Sequence, residues 1–197
     1  MTRIFLILSV ILGMISCNTK TDKAPLKESL KNEVAKEDVS FFPVTNYIKG
    51  QIAEIKKRGI NPLLLLNKTG KTDSVWLKTS EFDSAFNDFL FPVIDSANLI
   101  PFYSESKFAD QTINSYTFTY APINDLPVGM TLQRWDVYIN PTNNNVRKIF
   151  MVKRISPTSE MQLTWQSDKW CKSILIETDA SGEQLISREQ IITWNFD

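Results

Sequence analysis

The strongest constraint on the fold is a switch to a two-residue repeat that begins at Ser115. In SYTFTYAP, Tyr116, Phe118 and Tyr120 share one face while Thr117 and Thr119 share the other. In LQRWDVYIN, Trp135, Val137 and Ile139 stand opposite Arg134, Asp136 and Tyr138. Successive side chains of a strand point to opposite faces, so this alternation marks strands with one buried side. VRKIFMVKRI, MQLTWQ, WCKSILIE and QLISREQIITWNF follow, parted by the turn-forming segments PTNNN, SDK and DASGE. Short connections between such segments predict antiparallel neighbours, here a meander of six strands. Leu63, Leu64, Leu65 and Leu66 and the segment around Ser74, Val75 and Trp76 flank Gly70, and they predict an earlier hairpin. The sheet is thus expected to hold about eight strands.

Two helical segments are predicted before the meander. Val44, Ile48, Ile52 and Ile55 recur at helical spacing over residues 43–58, with Lys56, Lys57 and Arg58 suiting the negative end of the helix dipole. Gly59 and Pro62 supply the stop. Phe82, Ala85, Phe86, Phe89 and Leu90 define a second apolar stripe, with Thr79 or Ser80 available as cap and Pro92 ending or kinking it. A short helix over 93–100 completes the segment. The expected architecture is α+β: two N-terminal helical segments packed on a curved antiparallel sheet.

Composition removes several classes of chemistry. The chain of 197 residues contains no histidine, so Ser-His-Asp and Cys-His arrangements and the commonest zinc ligand are absent. It has 22 basic and 22 acidic residues, which argues against a nucleic-acid binder. Neither a Walker A loop nor a GxGxxG pattern occurs. Cys17 and Cys171 are the two cysteines. No cofactor or metal is expected.

The first residues carry an address. Arg3 is followed by an apolar run from Ile4 to Ile15, too short for a helix that must cross about 30 Å of hydrocarbon. It fits the core of a secretory signal. Met14, Ile15 and Ser16 precede Cys17, and this stretch resembles a bacterial lipobox, in which the cysteine is acylated and becomes the mature N-terminus. That resemblance implies a signal peptide over 1–16, a lipidated Cys17, and a lipoprotein of the Gram-negative cell envelope. An ordinary cleaved signal and an uncleaved anchor are the other readings. Residues 18–40 are charged, lack aromatic residues and read as a flexible tether. Asn18, rather than Asp, follows the cysteine and favours the outer membrane. Residues 41–197 form the expected single globular domain.

Nothing in that domain nominates a catalytic set. Cys171 sits between Trp170 and Lys172 and reads as a buried structural thiol rather than an activated one. Asp88 and Asp95 are the nearest thing to a carboxylate pair for a histidine-independent hydrolase. The unusual feature is the aromatic load of the strands: Trp135, Trp165, Trp170 and Trp194 either fill the sheet's inner side or form a binding platform. The irregular connection APINDLPVGM is placed to rim such a concavity. The expectation is a non-catalytic binding domain on a membrane anchor, with an envelope protein, glycan or lipid as partner and no nucleic acid. The alternative is a carrier or receptor for an apolar ligand. In outline, a sheet closing over helices is similar to the carriers and receptors of outer-membrane lipoprotein localisation, which implies a cavity between sheet and helices.

Overall fold

A computed structural model describes residues 40–196, apart from Thr69 and the side chain of Ser96. Cys17, the signal and the tether lie outside the described residues. The chain order is α1 (Val44–Lys57), β1 (Leu63–Lys68), β2 (Lys71–Trp76), a 3-10 turn (Thr79–Glu81), α2 (Phe82–Ala85), α3 (Asn87–Leu90) and α4 (Ser96–Leu99). Seven strands follow: β3 (Tyr103–Asp110), β4 (Ser115–Pro122), β5 (Leu132–Ile139), β6 (Val146–Ser156), β7 (Ser159–Gln166), β8 (Trp170–Thr178) and β9 (Gln184–Thr193).

All nine strands form one antiparallel sheet in the order β2-β1-β9-β8-β7-β6-β5-β4-β3. The meander therefore runs unbroken from β3 to β9, and the early hairpin joins it by pairing Leu64 with Ile192. The domain is mainly β, which corrects the expected α+β balance. The sheet has nine strands rather than about eight, because Tyr103–Asp110 is a strand. Its sequence, YSESKFAD, buries only Tyr103 and so carries no apolar period to read.

The first helix forms where expected and ends on Gly59 at φ 65°. Ile60 donates to the Ile55 carbonyl and Gly59 to that of Lys56, so two orphaned carbonyls are capped in a left-handed turn that glycine adopts without strain. The second segment differs. Residues 79–99 form a 3-10 turn and three separate four-residue helices instead of one long amphipathic helix. The interruptions fall at Phe86, whose φ of −99° and ψ of 3° leave the helical region, and at Phe91, which is extended before Pro92. The phenylalanine spacing nevertheless does its work, since Phe82, Phe86 and Phe89 are all buried.

One face of the sheet carries the core. Ile149, Trp165, Cys171 and Ile192 lie in register across β6 to β9, with Met151 and Leu163 in the neighbouring row. Helix α1 presses Val44, Ile48, Ile52 and Ile55 into the core. Its first two turns are tied to the β7–β8 turn by Tyr47, which donates to Ser167 Oγ at 2.8 Å, and by Gln51, which accepts from the Asp168 amide at 2.9 Å. Two aromatic clusters fill the space. Trp135 stacks on Tyr120 with centroids 4.6 Å apart, edged by Tyr103 and Phe41. Trp165 meets Phe86 at 5.6 Å, Phe89 at 5.4 Å and Trp194 at 5.1 Å.

Candidate functional site

One group of exposed apolar side chains lies at the end of the sheet where the β4–β5 and β6–β7 connections meet, while Val75, Trp76, Phe108, Ile113, Tyr116 and Phe196 are exposed toward the other end. Pairing of Leu132 with Lys153 brings the two loops side by side. Ile123 donates to the Phe102 carbonyl, and Arg154 donates its amide to Thr131, so the loop bases are hydrogen-bonded down. Between those ties, Met130 donates to Pro127 and closes a turn around Val128 and Gly129, the glycine at φ 91°. Pro127 and Gly129 leave the turn no choice but to present Val128, whose side chain is fully exposed.

A cleft of about 800 Å³ lies on one side of this tip, lined by Leu126, Val128, Met130, Gln133, Arg154 and Ile155. A second, of about 380 Å³, lies on the other side against Pro92, Val93, Leu99 and Leu132. A third, of about 500 Å³, continues past Ser156 to Glu177, Leu185 and Ile186. Phe91, Val93, Ile123, Val128, Ile155, Leu185 and Ile186 are all exposed around these clefts. Isolated exposed aliphatics are ordinary, whereas a run of them bordering concave surface marks a place for contact. Asp125 and Arg154 add charge of both signs to the first of these clefts. The site thus offers apolar contact with a polar margin.

A buried lysine fixes one wall. Lys153 follows Ile149 and Met151 on the inner face and is only 5 % exposed. Its ammonium donates to the carbonyls of Asp88 and Phe91, the exposed end of α3, just before Pro92 and Val93. Burial pulls its pKa down to about 8, opposed by the Asp88 carboxylate. Asp88 in turn faces Arg188 at 3.7 Å. Lysine at an inward position of an otherwise apolar strand face is a signal that the sequence carries. Ile155, Leu185 and Ile186 carry none, because their significance arises only when the hairpin ends meet.

The residues singled out in the sequence go to different places. Trp135 and Trp165 are fully buried and Trp194 is 3 % exposed, so all three are core side chains here. Both Trp135 and Trp165 bury an indole N–H without a hydrogen-bond acceptor. Trp170 is half-buried on the outer face, in register with Thr193 and through it with Leu63 and Trp76. Trp76 and Phe196 form an exposed aromatic pair at 5.5 Å near that row. Cys171 is buried, and burial holds its thiol well above the ordinary range. Asp88 is engaged by Arg188, and Asp95 accepts from the Asn98 amide at 3.0 Å. Among the described residues no group of histidine, cysteine and carboxylates could hold a metal, and no helix is long and apolar enough to cross a membrane. No family model, curated protein or solved structure matches the chain.

Proposed function

We propose that this chain is a lipid-anchored protein of the bacterial envelope, held at the outer membrane through Cys17, whose domain is a non-catalytic binding module. The anchor reading rests on the sequence around Cys17. Diacylation or triacylation would hold such a protein on a bilayer, because each buried methylene contributes about 0.8 kcal/mol. The binding reading rests on one observation: exposed Val128 stands between two clefts with Phe91, Val93, Ile123 and Ile155 exposed around it. In this picture the sheet curves over the helical segments and fills its inner side with tryptophan. The loop end is then left to meet an envelope partner.

A photo-reactive residue placed at Val128 in cells tests this. A discrete adduct is expected there and not from the same residue at Asn143, an exposed position in the β5–β6 turn at the opposite end of the strands. Equal labelling at the two positions would remove the basis for the assignment. The anchor is tested separately by Cys17→Ser, which should abolish acylation and release the protein from membranes.

The smaller cleft favours a second reading. It is lined by Pro92, Val93, Leu99, Met130 and Leu132, and it lies between the short helices and β5. An apolar ligand such as an acyl chain would enter there. Native mass spectrometry of the purified protein separates this carrier from a protein-binding module, since only the carrier retains lipid.

A further inference from the structure

Among the described residues the sheet is open, with β2 at one edge and β3 at the other. An unpaired edge offers a row of amides and carbonyls, and proteins usually blunt such rows with bulges, prolines, short strands or charged side chains. Strand β3 runs eight residues in unbroken register with β4 and contains no proline, and its charges, Glu105 and Lys107, are of opposite sign and so exclude some partners and suit others.

The direction of its backbone groups follows from one bond. Ile123 donates to the Phe102 carbonyl, and the register continues as Tyr103 opposite Pro122. Hydrogen-bonded and non-hydrogen-bonded pairs alternate in an antiparallel ladder. Phe102, Ser104, Ser106 and Phe108 therefore direct their backbone groups at β4, and Tyr103, Glu105, Lys107 and Ala109 direct theirs outward. Pro122 agrees, since its missing N–H is not needed opposite Tyr103.

We infer that β3 is a self-association edge, on which a second copy of this chain pairs antiparallel about a two-fold axis at Ser106. In that register Glu105 lies opposite Lys107 of the second copy, and Lys107 opposite its Glu105. Tyr103 and Ala109 pair likewise, so every outward group of the strand finds a partner. Shifting the axis to Glu105 or to Lys107 sets like charges against each other, which destabilises a cross-strand pair. Within one chain Lys107 and Glu105 already form a 3.0 Å ion pair on the same face. The two-fold arrangement joins the two ion pairs into an alternating ring of four charges. The β2 edge does not match it. There Leu77 donates to the Pro62 carbonyl, which turns Thr72, Ser74 and Trp76 outward. Its charge-matched register, Lys71 against Asp73, centres on Thr72 and runs off into the β1–β2 turn after three residues on each chain.

Antiparallel non-hydrogen-bonded neighbours have Cα atoms about 4.5 Å apart, within disulfide reach. Full-length Ser106→Cys in detergent micelles should therefore form an inter-chain disulfide under mild oxidation. Ser104→Cys should not, because its two-fold mate lies four residues along the partner strand. Equal cross-linking of the two variants, or none, would overturn the proposal. Charge reversal adds a second test by sedimentation equilibrium. Glu105→Lys or Lys107→Glu alone should weaken self-association by about tenfold or more. The double variant E105K/K107E should restore it, and failure to restore would contradict the register.

Discussion

The inner face of the sheet and its loop end are both rich in apolar side chains, yet they use them in opposite ways. On the inner face, Trp135, Trp165, Tyr120, Phe82 and Phe86 are fully buried against one another. At the loop end, Phe91, Ile123, Val128 and Ile155 are each about half exposed or more. The large aromatic residues, which look the most functional in the sequence, hold the fold together. The exposed surface at the loop end is built mostly from aliphatic residues, with Phe91 beside them. The buried aromatic residues therefore report packing here, and the proposed contact surface rests on loop geometry.

Breaking the packed side should give the largest effect. Trp165→Ala removes contacts to Phe86, Phe89 and Trp194 and should cost about 3–5 kcal/mol of unfolding free energy, measured by urea titration. A loss below about 1 kcal/mol would mean that the aromatic cluster is not the keystone of the core.

Lys153 joins the two regions and sharpens the comparison through pH. Burial holds its pKa near 8, against an ordinary 10.5. Between those values the unfolded chain keeps a proton that the folded chain has released, so stability should rise with pH in this window. The full gain is on the order of 3 kcal/mol. The Asp88 carboxylate and its Arg188 partner are the charged groups facing it. Above about 10 the sign reverses. Tyr103, pushed up to about 12 by burial, stays protonated in the folded chain after the unfolded chain has ionised. Denaturation curves from pH 7 to 11 should show a maximum, and Lys153→Met should flatten the rising limb.

A smaller effect is expected where the helix meets the sheet. Tyr47→Phe deletes the 2.8 Å bond to Ser167 and should cost about 1 kcal/mol. The smallest belongs to the loop end. Val128→Asp adds a charge to a fully exposed tip, and its stability should stay within about 0.5 kcal/mol of the parent.

Much of this arrangement is legible from residues. The two-residue alternation places six of the nine strands, and Gly70 and Gly59 mark the hairpin and the helix stop. Strand β3 is silent because an edge strand of serine, glutamate and lysine buries one side chain and needs no apolar period. The second helical segment misleads because its phenylalanines keep their spacing while the backbone leaves helical geometry at Phe86 and turns extended at Phe91 before Pro92. Half of the candidate site is visible as an irregular connection with Pro122, Pro127 and Gly129. The other half is not. Ile155 becomes a wall only when β5 and β6 pair, and nothing local to its own segment announces that.

The central claim is that the loop end is a contact surface independent of the packed face. It is tested most directly by adding Ile155→Asp to the chain with the photo-reactive residue at Val128, then measuring adduct yield and melting temperature together. The account predicts that the adduct disappears while the melting temperature stays put. An adduct that persists at full yield, or one lost only because the domain has unfolded, would contradict it.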